Sequence, residues 1–180
     1  MGTAGNALRG APGPALAAAL AGESARFRAL LARPDEIQAA HLRNLVHRNR
    51  NSQFGREHGF SSIQDATDFA RQVPVRDYEA HAPWIARAGS GEGSVLTDEP
   101  VIAFEETGGS TSGPKLVPLT SSGLAEFQAG LKPWLDDLFM SNPALHCGSF
   151  YWAISPACRP GRNTSGGTPV GLGDDAAYFG

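Results

Sequence analysis

Cysteine is scarce in this chain: among 180 residues there are two, Cys147 and Cys158. Their spacing matches no zinc-binding pattern of paired Cys and His, and it gives no disulfide framework. The expectation is two reduced thiols. There is also no run of eighteen apolar residues of the kind that spans a bilayer as a helix. No basic cluster interleaved with aromatics occurs, and the net charge is −3, so nothing draws the chain toward nucleic acid or anionic lipid. Internal repeats and long low-complexity tracts are missing as well. Arg9 before PALAAAL at 14–20 has the outline of a weak signal peptide. The stretch is mostly alanine, however, and Glu23, Arg26 and Arg28 follow at once, which fits an alanine-rich helix better.

What remains is a globular composition. The apolar fraction is 41%, enough to bury a core at this length. Gly 22 and Pro 13 predict much loop. Residues 1–13 are expected to be a flexible amino terminus. Leu16, Leu20, Phe27 and Leu31 recur at helical steps. Pro34 suits the first turn of a second helix, with Asp35 and Glu36 at the positive end of its dipole. That helix is expected to end in HRNRNSQFG, with Gly55 as cap or turn. Ser62 and Asp65 suggest a capping-box start to a short helix reaching about Gln72, stopped by Pro74.

Residues 75–100 read as irregular, with PWIARAGSGEG as an exposed loop. Val101–Phe104 is a strand candidate. Leu116–Leu119 is expected to be extended, because Pro118 forbids helix there. Thr120 or Ser121 then starts an amphipathic helix whose buried face is expected to be Leu124, Phe127, Leu131, Trp134, Leu135 and Leu138. Ser149–Ile154 is a further strand candidate. Helices and short strands interleave, which predicts an α/β fold.

The chemistry concentrates at ETGGSTSGPKLVPLT, residues 106–120. From Thr107 to Lys115 come three glycines, four hydroxyl side chains, a proline and a lysine. A turn of this kind exposes backbone N–H groups that can converge into an anion nest. Hydroxyl donors and a lysine charge add what phosphate oxygens need. A surface turn that binds nothing has the same composition. A Walker A loop fails, since Pro114 precedes Lys115, Leu116 replaces the required Ser or Thr, and the following segment is extended. A nucleophile elbow fails because Thr111 stands where serine is needed. The dinucleotide fingerprint lacks its third glycine in register.

Thr107 to Lys115 does resemble the phosphate-binding loop of adenylate-forming enzymes, roughly Ser/Thr-Ser-Gly-Thr-Thr-Gly-x-Pro-Lys. The spacing from Gly109 to Lys115 agrees, and Ser110 and Thr111 fall on the Thr-Thr pair. Gly108 replaces the second Ser, and Ser112-Gly113 reverses the usual order. Three flanking blocks, NSQFGREHGFSSI, DFARQVPVRDYE and GEGSVLTDEPVIAFEE, add order and spacing over residues 49–120. Together they resemble the amino-terminal region of the GH3 (auxin-responsive promoter) family of acyl acid–amido synthetases, in its bacterial branch.

The resemblance implies an amino-terminal fragment of an adenylate-forming enzyme, with 14–180 as an incomplete amino-terminal adenylating domain and the carboxy-terminal part absent. It implies a cytoplasmic ligase that uses ATP and Mg²⁺ to turn a small-molecule carboxylic acid into an acyl-adenylate for amide formation with an amine or amino acid. On that reading Gly109, Ser110, Thr111, Ser112 and Gly113 wrap the β- and γ-phosphates. Lys115 adds positive charge, and Thr107 orients the loop. Two alternatives stand beside it: a non-catalytic nucleotide-binding or interaction remnant of the fold, and a ligase with a coenzyme A thiol as acceptor. Glu105 and Glu106 are expected to be solvated at a strand end, not metal ligands. His41 and His47 are expected on the surface, and His58, in the matching REHGF block, packs, caps or acts in the chemistry. Asp174 and Asp175, read as neighbours on a strand, point apart and suit no shared acid/base site. No general base is assigned.

Overall fold

The computed structural model describes residues 14–107, 114–147 and 161–179. They fall into two compact units. One comprises the described parts of Met1–Arg33, Ser122–Pro160 and Leu172–Gly180; the other comprises Pro34–Ser121 and Gly161–Gly171. The strand expected at 149–154 and the residue Cys158 lie outside the described residues.

The second unit carries the sheet. It opens with α2, Pro34–Arg48, with Asp35 and Glu36 in its first turn and His47 and Arg48 in its last, the distribution its dipole favours. His41 and His47 are exposed as expected. Gly55 does not cap this helix. It lies inside the next one, α3, Gln53–Glu57, which Ser52 caps by accepting from the Gly55 N–H at 2.9 Å. The reason for glycine is space: a Cβ there would sit 2.1 Å from the Asn49 carbonyl oxygen.

His58 ends α3 and packs. Its ring stacks on Phe54 at 3.9 Å and its Nδ1 lies 2.9 Å from the Phe54 carbonyl oxygen. Val46, Phe60 and Ile63 form a small core here, with Leu42, Phe54, Phe69 and Val73 against it.

The short helix α4 runs Ala66–Gln72 and stops before Pro74. Its start departs from expectation. Ser62 ends a 3-10 turn, Phe60–Ser62, and Asp65 is the N-cap, accepting from the Asp68 N–H at 2.8 Å. Asp65 has the extended backbone that a cap requires.

Residues 75–100 are not all irregular. α5 spans Tyr78–Gly89, so PWIARAG is helix. Asp77 caps it, accepting from the Ala80 N–H at 3.0 Å. Pro83 costs the helix the bond that its N–H would have made to Glu79. Tertiary packing outweighs this loss, because Ile85 and Ala88 join Val95 and Phe104 in the main core.

The end of α5 is tied to α3. Arg87 grips the Glu92 carboxylate through Nε at 2.9 Å and a terminal nitrogen at 2.6 Å, and Gln53 donates to the same carboxylate at 2.6 Å. The Arg87 and Gln53 bonds hold the Glu92 pKa down at about 2, and Glu92 in turn raises that of Arg87. A carboxyl with a depressed folded-state pKa stabilises the fold above its unfolded pKa and loses that contribution as pH falls through the folded value. The stability difference between the wild type and Glu92→Gln is therefore expected to hold steady above about pH 4.5, then shrink down to about pH 2. Urea titrations across that range check it, and a pH-independent difference would refute it.

The sheet has the order β2-β1-β4-β3, from β1 (Val101–Glu106), β2 (Leu116–Thr120), β3 (Arg162–Asn163) and β4 (Pro169–Val170). β1 and β2 are antiparallel, β1 and β4 parallel, and β3 and β4 antiparallel. Ala103 and Phe104 are fully buried. Pro118 is tolerated because β2 is an edge strand among the described residues.

The first unit holds α1, Pro14–Leu30, and α6, Ser121–Ser141. Leu20 is buried, while Phe27 and Leu31 are exposed. In α6 the buried side differs from expectation: Leu135, Pro133 and Asp136 are buried, whereas Phe127 and Trp134 are 46% and 53% exposed. One residue turns a helix by about 100°, and the buried face is turned toward Asp136, which faces Arg28 at 3.9 Å. Phe127 instead meets the ring of Tyr178 edge-on at 6.1 Å. Asp174 is not on a strand. It caps the 3-10 turn Asp175–Tyr178, accepting from the Ala176 N–H at 2.8 Å.

Candidate functional site

The glycine-rich segment is the connection of the β1–β2 hairpin. Glu106 pairs with Leu116 as the last register position. The ladder then continues one step: the Thr107 N–H donates to the Lys115 carbonyl at 2.9 Å. The Lys115 N–H lies 3.4 Å from Thr107 Oγ1. Thr107 and Lys115 therefore close the mouth of the loop. Gly109, Ser110, Thr111, Ser112 and Gly113 lie outside the described residues.

Lys115 does not stand in open solvent. Its ammonium is 3.9 Å from a Glu79 carboxylate oxygen and 4.9 Å from the centre of the Tyr78 ring. Both partners lie in the first turn of α5. The Tyr78 hydroxyl also reaches the strand: it accepts from the Leu116 N–H at 3.0 Å and lies 3.3 Å from the Leu116 carbonyl. The first residue of β2 is thus held from outside the hairpin.

The other side of the mouth is held too. Phe104 faces the core, so strand alternation puts Glu105 on the opposite face and Glu106 on the Phe104 face. The Glu106 side chain is only 9% exposed, and the Arg162 guanidinium bonds it at 2.5 Å. This corrects the expectation of a solvated strand end for Glu106. Glu106 was legible from the two-residue period. Tyr78 and Arg162 carry no local signal, since their partners are 38 and 56 residues away.

Below the mouth, on the α5 side of the sheet, lies an open cleft of about 370 Å³. Ile85, Leu116 and Val170 contribute apolar lining, and Tyr78, Arg162 and Asn163 contribute polar groups. Among the described residues, no three His, Cys, Asp or Glu side chains cluster to hold a metal ion, and no helix is long and apolar enough to cross a membrane.

This architecture defines an α/β module built on a small mixed sheet that presents a glycine- and hydroxyl-rich hairpin connection clamped at both ends. Residues 23–177 match the model of the GH3 family N-terminal domain, and the chain belongs to the GH3 family. It is 27% identical over 139 residues to the indole-3-acetic acid-amido synthetase GH3.2 of Arabidopsis thaliana, covering 76% of this chain and 25% of that protein. It is 34% identical over 94 residues to indole-3-acetic acid-amido synthetase GH3.15 of the same organism, covering 51% of this chain and 16% of that one. The fold agrees with solved structures of GH3.15 acyl acid amido synthetase. One superposes with a TM-score of 0.70 at 25% identity, over 87% of this chain and 28% of that chain. Another, in complex with 2,4-DB, gives 0.64 at 26% identity, over 75% and 24%. The chain therefore spans about a quarter of the length of the GH3.2 relative and of these solved structures.

Proposed function

We propose that this chain supplies the phosphate-holding part of an ATP-dependent acyl acid–amido synthetase. A carboxylate is a poor electrophile. In the proposed reaction its oxygen attacks the α-phosphorus of ATP, pyrophosphate leaves, and the mixed anhydride makes AMP a good leaving group. An amine, on this reading that of an amino acid, then attacks the acyl carbon. It loses a proton as AMP departs and the amide forms. The acid and the phosphates repel each other, so a site for this step needs donors directed at phosphate oxygen.

The observation that carries this reading is the clamped hairpin. Thr107 and Lys115 close a connection rich in backbone N–H groups and small hydroxyls, and the family match covers it. Gly109, Ser110, Thr111, Ser112 and Gly113 would hold the β- and γ-phosphates. Lys115, anchored over Tyr78, would supply charge at the mouth and not a bond to the reacting atoms. Mg²⁺ would arrive on the nucleotide, since a magnesium ion on a triphosphate keeps waters and phosphate oxygens as ligands and needs few protein carboxylates. The setting we propose is cytoplasmic, where ATP is supplied.

Calorimetric titration with MgATP tests this. Weak binding is expected from the 180-residue chain. Hydrogen bonds to charged groups contribute about 1.5–3 kcal/mol, so Ser110→Ala is expected to weaken binding by roughly tenfold. Lys115→Ala should have a smaller effect. An unchanged affinity in Ser110→Ala would remove the reading. Because the chain spans about a quarter of these relatives, it is expected to show no ATP–pyrophosphate exchange by itself, and a measured exchange would overturn that.

A further inference from the structure

The proposed phosphate contacts leave the cleft below the loop mouth unused. Its floor is apolar. Ile85 is buried in the main core, while Leu116 and Val170 beside it are only partly covered. α5 presents Ala82 and Ala86 to the same space, so no long side chain from the helix fills it. The volume of about 370 Å³ falls within the range of small-molecule pockets, roughly 300–1,000 Å³. Away from the mouth the outer hairpin comes against α5: the Thr164 side chain lies 3.8 Å from where a Gly89 Cβ would stand.

One cation stands at the rim of this floor. Arg162 pairs with Val170 across the β3–β4 hairpin, and cross-strand partners share a face, so its side chain starts beside Val170 on the α5 side. That side chain is 58% exposed, and one terminal nitrogen bonds the Glu106 carboxylate at 2.5 Å. A guanidinium carries five N–H donors, and among the described residues this one bonds only Glu106. Glu106 therefore holds one end of the fork and leaves the other for a ligand. A carboxylate accepts several hydrogen bonds, so further partners of Glu106 do not alter this. The hairpin carrying Arg162 is braced as well. The Gly166 N–H donates to the Gly89 carbonyl at 2.9 Å, and the Gly171 N–H donates to the Phe104 carbonyl at 2.8 Å.

An apolar floor with N–H donors at its rim suits a molecule that has both an apolar body and an anionic head. The planar guanidinium matches a carboxylate in shape, and such charge-assisted bonds are stronger than neutral ones. We propose that this cleft binds a small monocarboxylic acid, its carboxylate on Arg162 and its apolar body on Ile85, Leu116 and Val170. The site is separate from the glycine-rich connection and does not depend on the phosphate-holding reading.

The test titrates the 180-residue chain with 2-naphthoate and with 2-naphthamide and follows the backbone amides by NMR. The two probes share a ring system and differ in charge. 2-Naphthoate is expected to bind with a Kd on the order of 1 mM, about tenfold tighter than 2-naphthamide, and to shift the amides of Ala82, Ala86 and Ser165. Arg162→Ala should remove that preference with little effect on 2-naphthamide, and Arg162→Lys should keep part of it. Ala82→Leu, which fills the cleft, should weaken both probes. Ser110→Ala should change neither, so the outcome is read independently of MgATP binding. If Arg162→Ala fails to fold, Arg162→Lys and the wild-type comparison of the two probes decide. The proposal is overturned by no binding of 2-naphthoate, by equal affinity for the two probes, or by a preference that survives Arg162→Ala. Shifts confined to other surfaces, or full affinity in Ala82→Leu, overturn it too.

Discussion

Phe104→Ala is expected to cost about 3–5 kcal/mol of stability, the range for truncating a fully buried phenylalanine. The side chain is 0% exposed. It sits in β1 between two partner strands, opposite Pro118 on one side and Val170 on the other, and packs with Ile85, Ala88 and Val95. Its ring also comes within 3.9 Å of where a Gly89 Cβ would stand, so helix and strand meet there with little room to collapse into the space left behind. Small domains have about 5–15 kcal/mol in total, so this one change removes a large share. Urea unfolding followed by circular dichroism measures it. Val75→Ala is the control: Val75 is fully exposed, and a change there should stay within about 0.5 kcal/mol. If the two variants unfold at similar urea concentrations, the centre of the unit is not where the burial places it.

The same residue shows how far the sequence could be read. Val101-Ile102-Ala103-Phe104 is apolar and short, Pro118 excludes helix from the next segment, and both became strands of one hairpin. Pro34 and Pro74 marked a helix start and a helix stop because proline acts on its own backbone. The family resemblance rested on residues 49–120, and the matched region of 23–177 contains them.

The misses have a common cause. α5 was hidden because Pro83, Gly89 and Gly91 look like loop punctuation. What makes 78–89 helical is the Asp77 cap and the burial of Ile85 and Ala88 against a strand further along the chain. In α6, apolar identity alone does not mark the buried face. Asp136, a charged residue, is buried while Trp134 is exposed, and the ion pair with Arg28 that accompanies this spans more than a hundred residues. At the site, the hairpin connection was legible as composition. Its clamps were not: Tyr78 and Arg162 become meaningful only when α5 and the outer hairpin are brought to the strand ends.

Gly166→Ala is expected to dislodge the outer hairpin. A Cβ at this position would stand 2.3 Å from the Gly91 nitrogen, 2.5 Å from the Ser90 carbonyl carbon and 2.7 Å from the Gly91 Cα. All three are backbone atoms, so no side chain can swing aside. Gly91 has φ +91°, a left-handed turn at the end of α5 that leaves few ways to retreat. The hairpin must move instead, and the Gly166 bond to the Gly89 carbonyl goes with it. Overpacking costs about 1–3 kcal/mol, and losing the bond adds about 1 kcal/mol. Gly161→Ala is the matched control, since nothing lies within 4 Å of its would-be Cβ. Hydrogen exchange should show the backbone amide at position 166 opening faster in Gly166→Ala and unchanged in Gly161→Ala. Equal stability and equal protection in the two would mean that the tip of this hairpin does not rest on the end of α5, and Arg162 would then be presented from an element with one brace fewer.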